Sequence, residues 1–267
     1  MAKLKLPAPP IPDALRPAPR RPGQAKKAGP LDVGAEVGKT VVDWVDERTS
    51  ISGGARWMMF RKVPKGTNWF YTLGSSSMFA FLNQAVTGVF LAMYYDPSPT
   101  GAYESVRYLT NEAFLGEFVR GMHRWGSSVM VILVFLHMAR TFFFGAYKYP
   151  RELNWVIGAA LLILTMAMSF TGYLLPFDQR SYWATIVGVN INGTGPFVGP
   201  FLSDFLRGGA EFGQTTLSRF YAIHLLLIPG LLAALIGAHL YLVAKLGTTA
   251  PPWIKAEDTR ELRTEEA

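Results

Sequence analysis

The sequence predicts an all-α integral membrane protein: a bundle of four transmembrane helices preceded by an amphipathic helix on the membrane surface. Three observations predict it. Of the 267 residues, 50% are hydrophobic and only 17% are charged, against about 25% charged in ordinary soluble domains. Four apolar stretches are each long enough to cross a ~30 Å hydrocarbon core at ~1.5 Å per residue. The basic residues are also shared unevenly between the connections that join those stretches. The net charge of +7 does not point to nucleic acid, because the bases cluster in an N-terminal arm and beside apolar runs. With no Cys in the chain, disulfides, iron–sulfur ligation, thiolate zinc sites and thioether-attached haem are excluded.

Residues 1–30 hold eight Pro, seven Lys or Arg and one acid, Asp13. Such a segment buries too little apolar surface to offset its ordering entropy and reads as a flexible basic arm. It lacks the apolar stretch of a signal peptide and is expected to survive in the mature protein. Residues 31–66 read as an interfacial segment. Val33, Val37, Val41, Trp44 and Val45 fall at spacings of three and four, with Asp43, Asp46, Glu47 and Arg48 between them. That pattern suits a helix lying in a membrane surface, or one packed on a partner subunit.

The domain that follows, residues 67–248, contains the spans A (about 71–94), B (about 121–143), C (about 155–175) and D (about 221–246). Trp69, Phe70, Tyr71, Tyr94, Tyr95, Trp125, Trp155 and Tyr173 crowd their ends, as amphipathic rings do at headgroup level. The C–D connection is long and broken by Gly193, Gly195, Pro196, Gly199, Pro200 and Gly208–Gly209, and loops of that length usually carry function. A polar tail, 249–267, closes the chain. Twenty Lys and Arg lie before A, between B and C, or from Lys245 onward, against five in the A–B and C–D connections. The positive-inside rule therefore places both termini in the cytoplasm.

The chain has four His, and all lie within spans: His123 and His137 on B, His224 and His239 on D. Ionisable groups in a bilayer are costly and mark function. The interval of 14 residues on B is about four helical turns, so both imidazoles share a face roughly 21 Å apart along the axis. On D the interval is 15, which over-rotates the second imidazole by about 60° on an ideal helix. Pro229 between them is expected to kink or rewind the helix. Because B and D run in the same direction, His123 faces His224 near the outer surface and His137 faces His239 near the inner one. No carboxylate or Cys in the spans completes a zinc tetrahedron. A porphyrin needs only two axial ligands, so each pair fits a bis-His haem, and the predicted fold is a haem-binding bundle.

The His-free helices repeat the interval: Gly74 and Gly88 on A, Gly158 and Gly172 on C, each 14 apart. They are expected to give close approach to the macrocycle; small-residue helix packing is the alternative. Arg120, Arg124 and Arg219 at the outer level and Arg140 at the inner level are candidate partners for propionates, or side chains that snorkel to the interface.

His123–Arg124–Trp125, Pro150–Arg151–Glu152–Leu153, the run Gly–Tyr–Leu–Leu–Pro–Phe–Asp–Gln at 172–179, and Ser218–Arg219–Phe220–Tyr221 together resemble the cytochrome b family. They look most like its short split form, found in the photosynthetic bf complex and bacterial quinol-oxidising relatives. The 15-residue interval on D and Asp178 resemble that branch, and the likeness runs from about 70 to 247. It implies a cytochrome b subunit of a quinol:cytochrome c (or plastocyanin-type acceptor) oxidoreductase, an electron-transfer subunit not active alone. The implied cofactors are two haem b, with quinol and quinone as substrates. Tyr173, Pro176, Asp178 and Trp183 would line part of the quinol-oxidation pocket. The implied partners are a separate subunit with the C-terminal cytochrome b helices, a Rieske iron–sulfur protein and a c-type cytochrome, within a dimeric complex in lipid, in a bacterial plasma membrane or one like the thylakoid.

Two departures accompany the resemblance. Where several split cytochromes carry a Cys that tethers a third haem, this chain has Tyr71–Thr72–Leu73–Gly74, so only a non-covalent third haem stays open. The Pro–Glu–Trp–Tyr motif whose carboxylate accepts the quinol proton is absent and falls to the separate subunit. Two rivals remain. A dihaem membrane-anchor cytochrome b of a dehydrogenase or hydrogenase would lack the long C–D loop with its Pro–Phe–Asp–Gln element. A transporter using buried His as a proton relay would show no b-type spectrum.

Overall fold

The computed structural model describes residues 30–49, 53 and 66–254, which belong to two units, Met1–Arg61 and Lys62–Ala267. The first unit is represented by helix α1, Pro30–Thr49. Val41, Val42 and Trp44 on it are exposed, and the Arg48 guanidinium lies 4.1 Å from the centre of the Trp44 ring. The expected basic arm lies outside the described residues up to Gly29, as do most of residues 50–65 and residues 255–267 of the tail.

The described part of the second unit is helical, without strands. A 3-10 turn, Trp69–Thr72, is capped by the Asn68 side chain and runs into α2, Leu73–Ala92. Then come α3, Ala102–Asn111, α4, Gly116–Phe143, and α5, Glu152–Leu174. The C–D connection folds into α6, Gln179–Gly193, and α7, Gly199–Arg207. The last rod begins as α8, Gln214–Ala222, passes through a π-helical turn, Ile223–Leu227, and continues as α9, Ile228–Leu246.

Span B begins five residues before its expected start, at a sharp corner. Leu115 takes a left-handed φ of 56°, and Gly116 is buried so tightly that a Cβ there would strike the Leu109 carbonyl. Among the described residues, three helices are long and apolar enough to cross a membrane: α4, α5 and the α8–α9 rod. Helix α2 has 20 residues, but Ser75, Ser76, Ser77, Asn83 and Gln84 dilute its apolar content. At most 11% of any of the three spanning windows is buried within the chain. Val129, Ile132, Val156 and Ile163 therefore present apolar surface outward, which in water would be an aggregation hazard and in lipid is the solvated state. The chain is an integral membrane protein.

The tightest apolar core sits at one end of the bundle. Ala102, Leu174, Val189, Leu206, Leu217 and Phe220 are buried against one another, joining α3, α6 and α7 to the ends of α5 and α8. Tyr95 Oη donates to the Leu175 carbonyl at 2.6 Å; burial, then Tyr221 and Asp96, push its phenol above the ordinary tyrosine range, so it stays a donor. Phe220 is fully buried, and Phe220→Ala is expected to cost about 3–5 kcal/mol of stability. Denaturant unfolding of the purified complex in detergent measures it, and a loss under about 1 kcal/mol would contradict this picture of the core.

Candidate functional site

Two imidazole pairs face each other inside the bundle. The ring centres of His123 and His224 are 6.4 Å apart with planes at 73°; those of His137 and His239 are 6.4 Å apart at 80°. This distance tests whether a metalloporphyrin fits. Two metal–nitrogen bonds of about 2 Å, plus about 1 Å from each donor nitrogen to its ring centre, span roughly 6 Å. The donor chemistry and the gap suit a six-coordinate iron at both levels.

Each histidine helix is backed by a glycine helix, α2 along α4 and α5 along α9. A Cβ at Gly74 would lie 3.2 Å from His137 Cε1, and one at Gly88 would lie 3.3 Å from His123 Cε1. The corresponding distances are 3.7 Å from Gly158 to His239 and 2.5 Å from Gly172 to His224. The close approach these glycines give is thus to the imidazoles themselves. The ring of each His rests on backbone where a side chain would otherwise stand.

The extra residue between His224 and His239 is absorbed at His224 itself. The π turn Ile223–Leu227 contains that residue, and the Ile228 N–H bonds five residues back to Ile223 O. One such turn takes one residue more than an α turn, so 15 residues complete the same four turns as 14 do on α4. Pro229 sits just beyond it, at the start of α9. The expected rewinding is present, and its form is a π-bulge.

Two threonines complete the His123–His224 level. Thr87 Oγ1 lies 2.9 Å from His123 Nδ1, and Thr171 Oγ1 lies 3.1 Å from His224 Nδ1. Sequence reasoning passed over both, although the dipeptides Thr87–Gly88 and Thr171–Gly172 recur at matching positions. The four arginines differ in their engagements. Arg120 donates to Thr110 Oγ1 at 3.1 Å, Arg219 donates to the Phe205 carbonyl, and Arg124 is exposed. Arg140 stacks 3.8 Å from the Tyr71 ring centre, with Nε and one Nη buried and without an acceptor among the described residues. It is the best placed of the four to take a buried carboxylate.

Tyr173 and Trp183 are exposed at the end of the bundle that holds the buried core. Trp183 Nε1 donates to Gln179 Oε1 at 3.0 Å. Asp178 Oδ1 accepts from Ser181 N at 2.8 Å, capping α6, so this carboxylate has a structural task. Between Pro176 and Asp178, Phe177 takes a left-handed φ of 49° and packs edge-on to Tyr182. Such strain at a bulky residue clusters at functional segments.

The glycine contacts make a graded prediction. Gly172→Ala is expected to displace the His224 ring and cost about 1–3 kcal/mol. Gly158→Ala, which meets only ordinary van der Waals contact, is expected to be neutral or mildly stabilising through helix propensity. Thermal denaturation of both variants checks this, and equal costs would contradict the assignment.

Residues 58–247 match the family model described as Cytochrome b/b6/petB. Cytochrome b6 of Heliobacterium modesticaldum is 42% identical over 79% of this chain and 100% of its own length. The menaquinol:cytochrome c reductase cytochrome b subunit of Geobacillus thermodenitrificans is 42% identical over 78% of this chain and 97% of its own. Among solved structures, a chain of a hyperthermophilic respiratory Complex III superposes with a TM-score of 0.71 at 32% identity, covering 81% of this chain and 59% of that one. Its fold, its paired histidines and these likenesses lead to one conclusion: the chain belongs to the cytochrome b/b6/petB family.

Proposed function

We propose that this chain is the cytochrome b subunit of a membrane quinol:cytochrome c (or plastocyanin-type acceptor) oxidoreductase, binding two b haems in series across the membrane. The observation that carries the reading is the pair of imidazole gaps, both 6.4 Å, each seated on glycine backbone. The relatives named as cytochrome b6 and as menaquinol:cytochrome c reductase subunits support it. In this reading α2 is the fourth span, with the Asn83 amide donating to the Met122 carbonyl on α4. Helix α1 lies on the membrane surface through Val41, Val42 and Trp44. Residues 67–248 are the haem domain, and both termini face the cytoplasm on the strength of the twenty-to-five basic asymmetry.

When bound, the haems supply one-electron relay centres between a quinol-oxidation site and a quinone-reduction site. The residues do the rest. His123 and His224 present Nε2 to the outer centre, and His137 and His239 to the inner one. Gly88, Gly172, Gly74 and Gly158 let those rings seat deeply enough to meet across the gap. Arg140 offers buried N–H groups to a carboxylate at the inner level; Arg120, Arg124 and Arg219 ring the outer one. Tyr173 and Trp183, with Pro176 and Asp178 between them in sequence, form a rim at the outer end where quinol would dock, with Asp178 holding α6 in place for Trp183. Moving one charge against 100 mV costs about 2.3 kcal/mol, which the redox reaction must exceed.

Thr72 donates to the Trp69 carbonyl at 2.7 Å and offers no thiolate, so a third haem would be held without a covalent bond. The remaining family helices, with the carboxylate that takes the quinol proton, would come from a separate subunit. A Rieske protein and a c-type cytochrome complete the proposed complex. Reduced-minus-oxidised spectra test the reading. His137→Leu and His239→Leu should each abolish one b haem, and His123→Leu and His224→Leu the other. Retention of both haems with normal spectra in His137→Leu and in His224→Leu would overturn it.

A further inference from the structure

The two imidazole pairs repeat one plan at an interval of 14 residues along the glycine helices, and they differ at one position. The residue before each glycine is Thr87 or Thr171 at the His123–His224 site, and Leu73 or Ile157 at the His137–His239 site. Both threonines are buried, at 5% and 3% exposure. Thr87 Oγ1 donates to the Asn83 carbonyl at 2.6 Å, and Thr171 Oγ1 donates to the Ala167 carbonyl at 2.9 Å. A hydroxyl has one proton to give and lone pairs to receive. With the proton committed to the preceding turn, the oxygen faces each Nδ1 as an acceptor. His224 Nδ1 also lies 3.1 Å from the Met168 carbonyl, a second acceptor. A proton on Nδ1 of both rings would satisfy these acceptors and leave the Nε2 lone pair for a metal. At the other site, neither Leu73 nor Ile157 carries a hydroxyl. The Asn154 backbone offers the His239 ring the counterpart of the Met168 contact at His224, so the hydroxyl is what the second site lacks.

We infer that Thr87 and Thr171 are positioning residues that lock His123 and His224 in the Nε2-donating tautomer and make them stronger electron donors than His137 and His239. The inference rests on the haem reading above. A hydrogen bond accepted from the distal ring nitrogen raises the basicity of the ligating one, and a more basic ligand favours the oxidised iron. The His123–His224 centre is thereby held at a lower potential than the hydroxyl-free centre. Both threonines bond back to their own helix, a habit that slightly destabilises helices.

Potentiometric titration of the whole complex, read by visible and EPR spectra, tests this. The Thr87→Val/Thr171→Val chain should raise the midpoint of the His123–His224 centre, a shift of up to about tenfold in its reduction equilibrium, or ~59 mV for one electron. The other centre should not move, and Thr87→Ser with Thr171→Ser should restore the native value. Ile157→Thr, which places a hydroxyl before Gly158 as Thr171 stands before Gly172, should lower the midpoint of the His137–His239 centre. Unmoved midpoints with both haems retained would overturn this inference alone. A wild-type complex without b haem would overturn the haem reading and this inference with it. Should the double valine chain lose its haem, Ile157→Thr decides, because it reads the other site.

Discussion

The structure depends on imidazole rings laid against bare helix backbone. A histidine inside a bilayer is costly, and four of them are tolerable only where geometry gives each a defined neighbour. The chain supplies that by placing a glycine on the adjacent helix beside every ring, where a Cβ would stand only 2.5 Å to 3.7 Å from the imidazole. Helix pairing then follows. Helix α2 must lie along α4 and α5 along α9, because those pairs match glycine to histidine at both levels. The two facing gaps of 6.4 Å result from the pairs being set opposite one another.

Stability and function are divided along the axis. The tightest apolar packing gathers at the end capped by α3, α6 and α7, around Leu174, Leu217 and Phe220. The spans carry little buried surface of their own, as expected where lipid and cofactor supply contacts. The same cap carries left-handed Leu115, Phe177 and Phe197, and it presents Tyr173 and Trp183 at its surface. Among the described residues, left-handed backbone at residues other than glycine falls in the connections and not in the helices that hold histidine.

Much of this was legible in the sequence because it is periodic. Residues 14 apart on a helix share a face, so His123 with His137, and Gly74 with Gly88, announced two levels without any fold in hand. The 15-residue interval on the last helix announced a defect but left its form open. Proline was the visible suspect, whereas a π turn is an arrangement of backbone hydrogen bonds that side-chain identity does not spell out. Thr87 and Thr171 were missed because threonine in a membrane helix usually bonds back to its own turn, and these two do that as well; their second contact crosses 36 and 53 residues of sequence. The sequence motif marks out Asp178, and the cap that its carboxylate makes to Ser181 N is visible only in the fold. Helix α2 was expected as a full span, and its serines and amides set it apart from the three clear ones.

The central claim is that both imidazole gaps are axial ligand sets for iron. Spin quantitation of ferric haem in the purified complex, set against chain concentration, measures it most directly. Two bis-imidazole pairs give two low-spin signals per chain. Fewer than two, or a high-spin centre showing an absent axial nitrogen, would contradict it.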